Sequence, residues 1–385
     1  MAVAALRLRE EPLGVRTDGA RVLLGRFWPA LVAYSAAQFL VLALAGVEAT
    51  LTHSSVATEL ARWDGHWYLD LARRGYPTAI PNTASTLGFM PGYPLLIRAV
   101  QGIFSVPVLP AALILSRAGG LISTVLVQRL TSLWWGEGAG QRSAVLYALF
   151  PGAVVFSMVY SDGLFLTLVL ACMLALERRR WLMAGLWGAA ATATGADGMI
   201  LVLAVTVAAS IHLIRTRAGA NRSELRCLAA PLLCPLGMAA VAAYLWARVG
   251  SPWAVMDAQS KFWGNRVSLM ATLHHYELYL QFGGRNLNLL IGLLGVPFVI
   301  GTRYLILRSD TRPPAWALVW GFGVTLACLG SSGLTPNPRM LLLAFPSGVV
   351  LARFLEGRAF LAVAGASTLG LGFVSWWTLG GHILP

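Results

Sequence analysis

Residues Phe27 to Ala49 read FWPALVAYSAAQFLVLALAGVEA, a run of 23 whose one charged side chain, Glu48, stands near its end. Wound as an α-helix at 1.5 Å per residue, it spans about 34 Å. That is enough to cross a hydrocarbon layer of about 30 Å, and too long for the apolar part of a cleavable signal peptide. The preceding residues 1–26 are polar and carry Arg7, Arg9, Arg16, Arg21 and Arg26. Positive charge on this side reads as a cytoplasmic tail followed by a signal anchor.

Further apolar runs follow at Phe89–Phe104, Pro110–Leu130, Ser143–Val159, Gly163–Leu176, Trp181–Thr194, Met199–Ile214, Leu228–Trp246, Leu287–Leu307, Trp316–Leu329, Met340–Leu351 and Phe360–Leu379. The expected architecture is an all-α polytopic integral membrane protein of about 11–12 transmembrane helices, several of them short. It forms one domain over 1–385, with a first outer loop at 50–88 and a later one at 248–286. Of 385 residues, 57% are hydrophobic and 12% charged, and mean hydropathy is +0.68. A soluble domain carries about 25% charged residues, so a soluble enzyme, a disordered chain and a disulfide scaffold are excluded. The net charge of +13 is spread between apolar runs, and Lys261 is the single lysine. Nucleic-acid binding would need a continuous basic face, so it is excluded too. Cys172, Cys227, Cys234 and Cys328 form no C-x-x-C pair, and neither a zinc site nor a disulfide framework is indicated.

Arginine clusters at 178–180, 215–226, 303–312 and 353–358 mark cytoplasmic ends. The connections at 160–162, 195–197, 249–285 and 331–339 then share the outer side with the first loop. Parity conflicts if both runs between Phe89 and Leu130 cross, so one of them, or half of the Ser143–Leu176 hairpin, is expected to be re-entrant. On this topology Glu48, Glu59, Asp64, Asp70, Asp162, Asp197, Asp257 and Glu277 gather outside. Ion pathways put paired ionisable groups near the midplane, where only Arg98 and Arg117 are candidates. The pattern suits an outward-facing enzyme better than a pump.

The densest polar cluster is ARWDGHWYLDLARRGY at 61–76. On an interfacial helix Asp64 and Tyr68 share a face, as do His66 and Asp70, while Trp63 and Trp67 anchor in the headgroup layer. A carboxylate held among apolar groups has the raised basicity a general base needs. An aromatic-belt helix with solvated charges would read the same way. In FMPGYPL at 89–95, Pro91 and Pro94 interrupt any incoming helix and put Tyr93 at the start of a run, as a headgroup ligand or a plain interfacial anchor. Tyr160-Ser161-Asp162 is a polar island in an apolar hairpin, where the aspartate either serves a site or caps the helix from Gly163. Pro338-Arg339-Met340 places a guanidinium at an outer end, against the positive-inside bias and suited to a phosphate. The later loop adds Asp257, His274, His275 and Arg285, an aromatic and basic surface for a sugar or headgroup. His274-His275 lacks an acidic third ligand, Asp64 with His66 is a weak cation pair, and metal dependence stays open.

Taken together, WDGHWYLD from Trp63, FMPGYPLL from Phe89, YSDGLFLTL from Tyr160, WLMAGLWG from Trp181 running into TATGADG, GSPWA…DAQ from Gly250, and Pro338-Arg339-Met340 resemble the PIG-V-like mannosyltransferase family. The resemblance implies a GT-C glycosyltransferase fold and a polyprenyl-phosphate sugar donor, usually mannose, used on the extracytoplasmic face of the cell membrane. It implies an inverting transfer with Asp64 as base. Arg339, with Arg285, His66 and Tyr93, would then handle donor and phosphate. Asp162, Tyr160, Trp63, Asp70 and Asp257 would contact the acceptor or support those groups. No other cofactor and no nucleic acid are implied; the acceptor is a lipid, glycan, peptide or natural product. Where relatives commonly read T-R-x-x-G, this chain has Thr194, Gly195 and then Asp197-Gly198, and Met90 replaces a common aromatic residue. The competing readings are a flippase for a lipid-linked sugar, a GT-C transferase with another donor sugar, and a non-catalytic assembly subunit. A flippase predicts internal pseudo-symmetry and midplane polar groups, which the sequence lacks.

Overall fold

The computed structural model describes residues 18–216, 223–268, 270–282, 285–308, 312–333 and 335–385, with side chains from residue 25 onward. Most of the expected cytoplasmic tail, with Arg7, Arg9 and Arg16, lies outside the described residues, as do Arg217 and Arg222.

The chain is helical throughout, and among the described residues the one extended pairing is an isolated bridge between Val267 and Ser331. The helices are α1 (Asp18–Leu51), α2 (Val56–Leu60), α3 (Asp64–Arg74), α4 (Gly92–Phe104), α5 (Val108–Trp135), α6 (Glu137–Ala148), α7 (Asp162–Glu177), α8 (Trp181–Thr192) and α9 (Gly198–Thr216). They continue as α10 (Ala229–Leu233), α11 (Leu236–Val249), α12 (Ala254–Phe262), α13 (Ala271–Gln281), α14 (Leu287–Arg308), α15 (Ala315–Leu329), α16 (Pro338–Leu343), α17 (Pro346–Val349), α18 (Leu351–Phe354) and α19 (Gly357–Leu379).

Six stretches among the described residues are long and apolar enough to cross a membrane: Gly25–Leu51, Val108–Trp135, Gly198–Thr216, Glu224–Val249, Leu287–Arg308 and Gly357–Leu379. The remaining apolar runs are helices of 10–17 residues or are broken. The run at 143–159 ends α6 at Ala148, and Pro151 then opens a 3-10 turn over Pro151–Phe156, since proline cannot donate to the preceding turn. The run at 340–351 is divided among α16, α17 and α18, with Pro346 at the first break. At 13 residues α4 extends about 20 Å. That is too short to span a hydrocarbon layer of about 30 Å.

Two buried clusters hold these helices together. The larger runs from Tyr34 on α1 through Phe156, Tyr160 and Phe165 to Trp320 and Phe345. The smaller joins Tyr68, Phe89, Tyr93 and Val255, bringing α3, α4 and α12 together. Side chains such as Phe39, Ile114, Leu203, Ile300 and Leu369 stand exposed around the perimeter, as expected where lipid is the solvent. Contact between α5 and the start of α7 needs glycine: a Cβ on Gly119 would lie 2.5 Å from the backbone of Gly163, and one on Gly120 2.6 Å from Phe156 and the Tyr34 hydroxyl. Close backbone approach of this kind takes the place of hydrophobic burial in holding membrane helices together.

Candidate active site

Asp64 opens α3, and the residue before it is held out of the usual range. Trp63 has φ 59° and ψ −123°, a conformation that costs an ordinary side chain about 1–3 kcal/mol. Its surroundings hold it there. The indole Nε1 donates to the Thr378 carbonyl at 3.0 Å, Val159 N–H donates to the Leu60 carbonyl at 2.9 Å, and Gly65 packs against Val159. Asp162 opens α7, seated on α5 by the glycine contacts just described. Arg339 lies in the first turn of α16, where Asn337 caps by accepting from Met340 N–H at 3.0 Å. That turn is pressed against the 3-10 segment so tightly that a Cβ on Gly152 would meet the Pro338 carbonyl at 2.2 Å.

These three elements bring their first turns together. Arg339 donates from Nε to Asp162 Oδ1 at 2.8 Å and from Nη1 to Asp64 Oδ2 at 3.2 Å. Its guanidinium sits 4.8 Å over the Tyr160 ring, and the Tyr160 hydroxyl in turn accepts the Asp64 backbone N–H at 3.2 Å. Ser116 on α5 fixes Tyr160 from below, donating to its carbonyl at 2.9 Å. The Asp162 side chain is 3% exposed, whereas Asp64 and Arg339 keep 24% and 23% open to the cavity they line. Burial pushes the Asp64 carboxyl above the usual carboxylate range, and the Arg339 guanidinium pulls the other way without cancelling it.

The cavity measures about 1170 Å³ and is lined by residues of the connections at 50–88 and 248–286. That exceeds the roughly 300–1,000 Å³ of a drug-sized ligand pocket, leaving room for two reactants. Trp67, Phe89 and Trp263 form an aromatic wall with ring centroids 5.4–6.1 Å apart. Gln259 on α12 ties that wall in place by donating to the Gly88 carbonyl at 2.6 Å. Leu278, Phe282, Leu289 and Ile291 line an apolar flank.

Of the residues expected from the sequence, Asp64, Arg339, Asp162, Tyr160, Trp63, His66 and Asp257 all line this cavity. His66 lies against Trp67, with ring centroids 4.6 Å apart and planes tilted by 42°. Three do not reach it. Tyr93 is fully buried, its hydroxyl engaged with Ser116 Oγ at 2.7 Å and the Ala112 carbonyl at 2.8 Å, because the turn of α4 points it into the core and away from the headgroup layer. Asp70 is turned to the far side of α3, 3.9 Å from Arg74. Arg285 is exposed just before α14, off the cavity lining. In their place the structure brings in Asp197, Thr194, Asn286, Asn288 and Asn337. Asp197 had a sequence signal, an acid inside the TATGADG break between two apolar runs, but nothing local said it would join Arg339 and Asp162 at one cavity. Its carboxyl is also raised by burial, opposed by Arg339. Among the described residues no three His, Cys, Asp or Glu side chains converge in a way that could hold a metal ion.

Comparison with known proteins gives the following. The profile of the family described as "Mannosyltransferase (PIG-V)" matches residues 22–249. A "GPI alpha-1,6-mannosyltransferase 2" from Cricetulus griseus is 30% identical over 153 residues, 37% of this chain and 30% of the relative. The protein of the same name from Rattus norvegicus is 29% identical over 163 residues, with the same coverage. The match thus spans about a third of those relatives. Among solved structures, ArnT from Cupriavidus metallidurans superposes with a TM-score of 0.52 in two states. Bound to undecaprenyl phosphate it covers 93% of this chain and 64% of its own at 16% identity; in the apo state the figures are 95%, 78% and 13%. The likeness is one of fold, the GT-C architecture.

Proposed function

Because this chain belongs to the PIG-V mannosyltransferase family, we propose that it transfers mannose from a polyprenyl-phosphate donor to a hydroxyl of an acceptor, inverting the anomeric carbon. The observation that carries the reading is the single cavity in which Asp64 and Arg339 stand 3.2 Å apart. The transfer needs one group to remove the acceptor proton and another to receive the leaving phosphate. Asp64 takes the proton as the acceptor oxygen attacks the anomeric carbon from the face opposite the phosphate. The bond between that carbon and the phosphate oxygen breaks, and Arg339 neutralises the charge that develops on the departing polyprenyl phosphate. A raised Asp64 carboxyl suits a base working near neutral pH. The apolar flank of Leu278, Phe282, Leu289 and Ile291 offers the prenyl chain a surface. The mannosyltransferase names of the relatives and the undecaprenyl phosphate held by ArnT support the donor class.

On this reading the chain is one membrane domain in the cell membrane, its N-terminus cytoplasmic and its cavity opening outside between the loops at 50–88 and 248–286. The test is transfer from polyprenyl-phosphate mannose by protein in nanodiscs, with membrane extract as acceptor source and mass spectrometry of the products. Asp64→Asn keeps the shape of the side chain and removes its basicity, so turnover should fall by about 10²–10⁴ while donor still binds. Near-normal turnover of that variant would sink the assignment of the base.

A further inference from the structure

Two carboxylates of the cavity are not accounted for by base and phosphate. Asp162 gives Oδ1 to Arg339, but its Oδ2 has no hydrogen-bond partner, although the side chain is only 3% exposed. Asp197 lines the same cavity and its carboxylate makes no hydrogen bond or ion pair among the described residues, while lying close enough to Arg339 and Asp162 to feel both charges.

The turn that carries Asp197 is rigid. Gly198 N–H donates to the Gly195 carbonyl at 3.0 Å and Ile200 N–H to the Asp197 carbonyl at 2.9 Å. A Cβ on Gly195 would meet the Phe165 ring at 2.9 Å, and Gly92 N–H ties the neighbouring Ala193 carbonyl to the start of α4 at 2.9 Å. A carboxylate oxygen offers only acceptor positions, and one left buried without a donor is costly. A ligand completing this pair must therefore bring donors. A phosphate cannot, and would be repelled. The cavity lining also includes Thr194, whose hydroxyl donates to the Ala190 carbonyl, and Asn286, Asn288 and Asn337, whose amide oxygens each accept a backbone N–H; these uncharged groups match a polyol better than a cation.

We propose that Asp197, together with the unpaired Oδ2 of Asp162, forms the subsite that reads the hydroxyls of the transferred sugar. The placement follows from covalent geometry and rests on the donor reading above. A sugar joined to a phosphate on Arg339 lies within one ring of the guanidinium, the neighbourhood that Asp162 and Asp197 occupy. Asp197 is then a specificity-determining residue, selecting the donor by its sugar while Arg339 holds any polyprenyl phosphate alike.

The test measures binding of two probes, polyprenyl-phosphate mannose and polyprenyl phosphate without sugar, to wild type, Asp197→Asn and Asp197→Ala in nanodiscs. Wild type should prefer the mannosyl lipid. Asp197→Ala should cut that preference about 10-fold or more, the worth of hydrogen bonds to a charged group, and Asp197→Asn should cut it less because it keeps one acceptor oxygen. Affinity for the sugar-free lipid should hold or tighten, since a negative charge has gone, and this also reports intact folding. Equal weakening for both lipids would mean that Asp197 merely supports the turn. An unchanged preference, or an unchanged preference with a raised KM for acceptor alone, would equally overturn the assignment and in the second case move the carboxylate to the acceptor. If wild type bound neither lipid, the donor reading itself would fall.

Discussion

As the proposed base, Asp64 faces opposing demands, since it must be charged to take a proton yet lies where charge is poorly solvated. Burial raises its carboxyl and Arg339 lowers it, with burial the larger influence. A base works only when deprotonated, so turnover should be lost as pH falls through this raised value. The acid limb of the pH profile should therefore lie above the ordinary carboxylate range. Arg339→Gln removes the influence that favours the charged form, so the limb of its residual activity should move to still higher pH, alongside weaker donor binding. A limb that stays in place, measured as kcat/KM against pH, would separate the two residues functionally. The sequence made both legible for different reasons: Asp64 stands in a run of aromatic and ionisable side chains, and Arg339 breaks a charge rule. Their contact across 275 positions was not legible, because no local pattern encodes it. Tyr93 shows the converse. Its position at a helix entry reads as interfacial, and only the packing of α4 on α5 puts its hydroxyl into the core.

At the scale of elements, the site depends on three helix starts made to meet, and glycine permits each meeting. Gly152 lets the 3-10 segment touch the Pro338 carbonyl, so Gly152→Val would force apart the turn that carries Arg339. Thermal unfolding in detergent should show a loss of roughly 1–3 kcal/mol, typical of overpacking, and activity in the folded fraction should fall as well. Gly138, with only the far end of the Arg142 side chain near its Cβ position, is the matched control, and Gly138→Ala should leave both close to wild type. Helical character, the break at Pro151 and the caps could be read from residue types. The Gly119–Gly163 and Gly152–Pro338 approaches could not, since a glycine in an apolar run has the same local appearance whether or not another backbone lies against it.

At the scale of the whole molecule, the four cysteines Cys172, Cys227, Cys234 and Cys328 are all buried, which leaves the native chain a quiet background for added thiols. On intact cells a membrane-impermeant maleimide should label Ser260→Cys beside the cavity, and should reach Glu356→Cys only after permeabilisation. The reverse pattern would invert the topology and put the cavity on the cytoplasmic side. The distribution of arginines gave the sequence its sidedness, whereas counting apolar runs gave more crossings than there are long helices, because a run of apolar residues does not reveal where its helix bends or stops.

Helix α8 has only 12 residues, about 18 Å, yet Leu182, Met183, Leu186 and Trp187 stand exposed along it. An apolar surface that short does not match a hydrocarbon layer of about 30 Å, and a bilayer that follows it dimples beside it. The far end of α8 leads directly into the turn bearing Asp197, which lines the cavity, so a dimple beside α8 acts on an element that carries the site. On the proposed function, the thickness of the surrounding membrane thereby becomes a variable of the reaction. In proteoliposomes of increasing acyl length, the growing cost of that dimple should lower turnover progressively, and short-chain lipids should restore it.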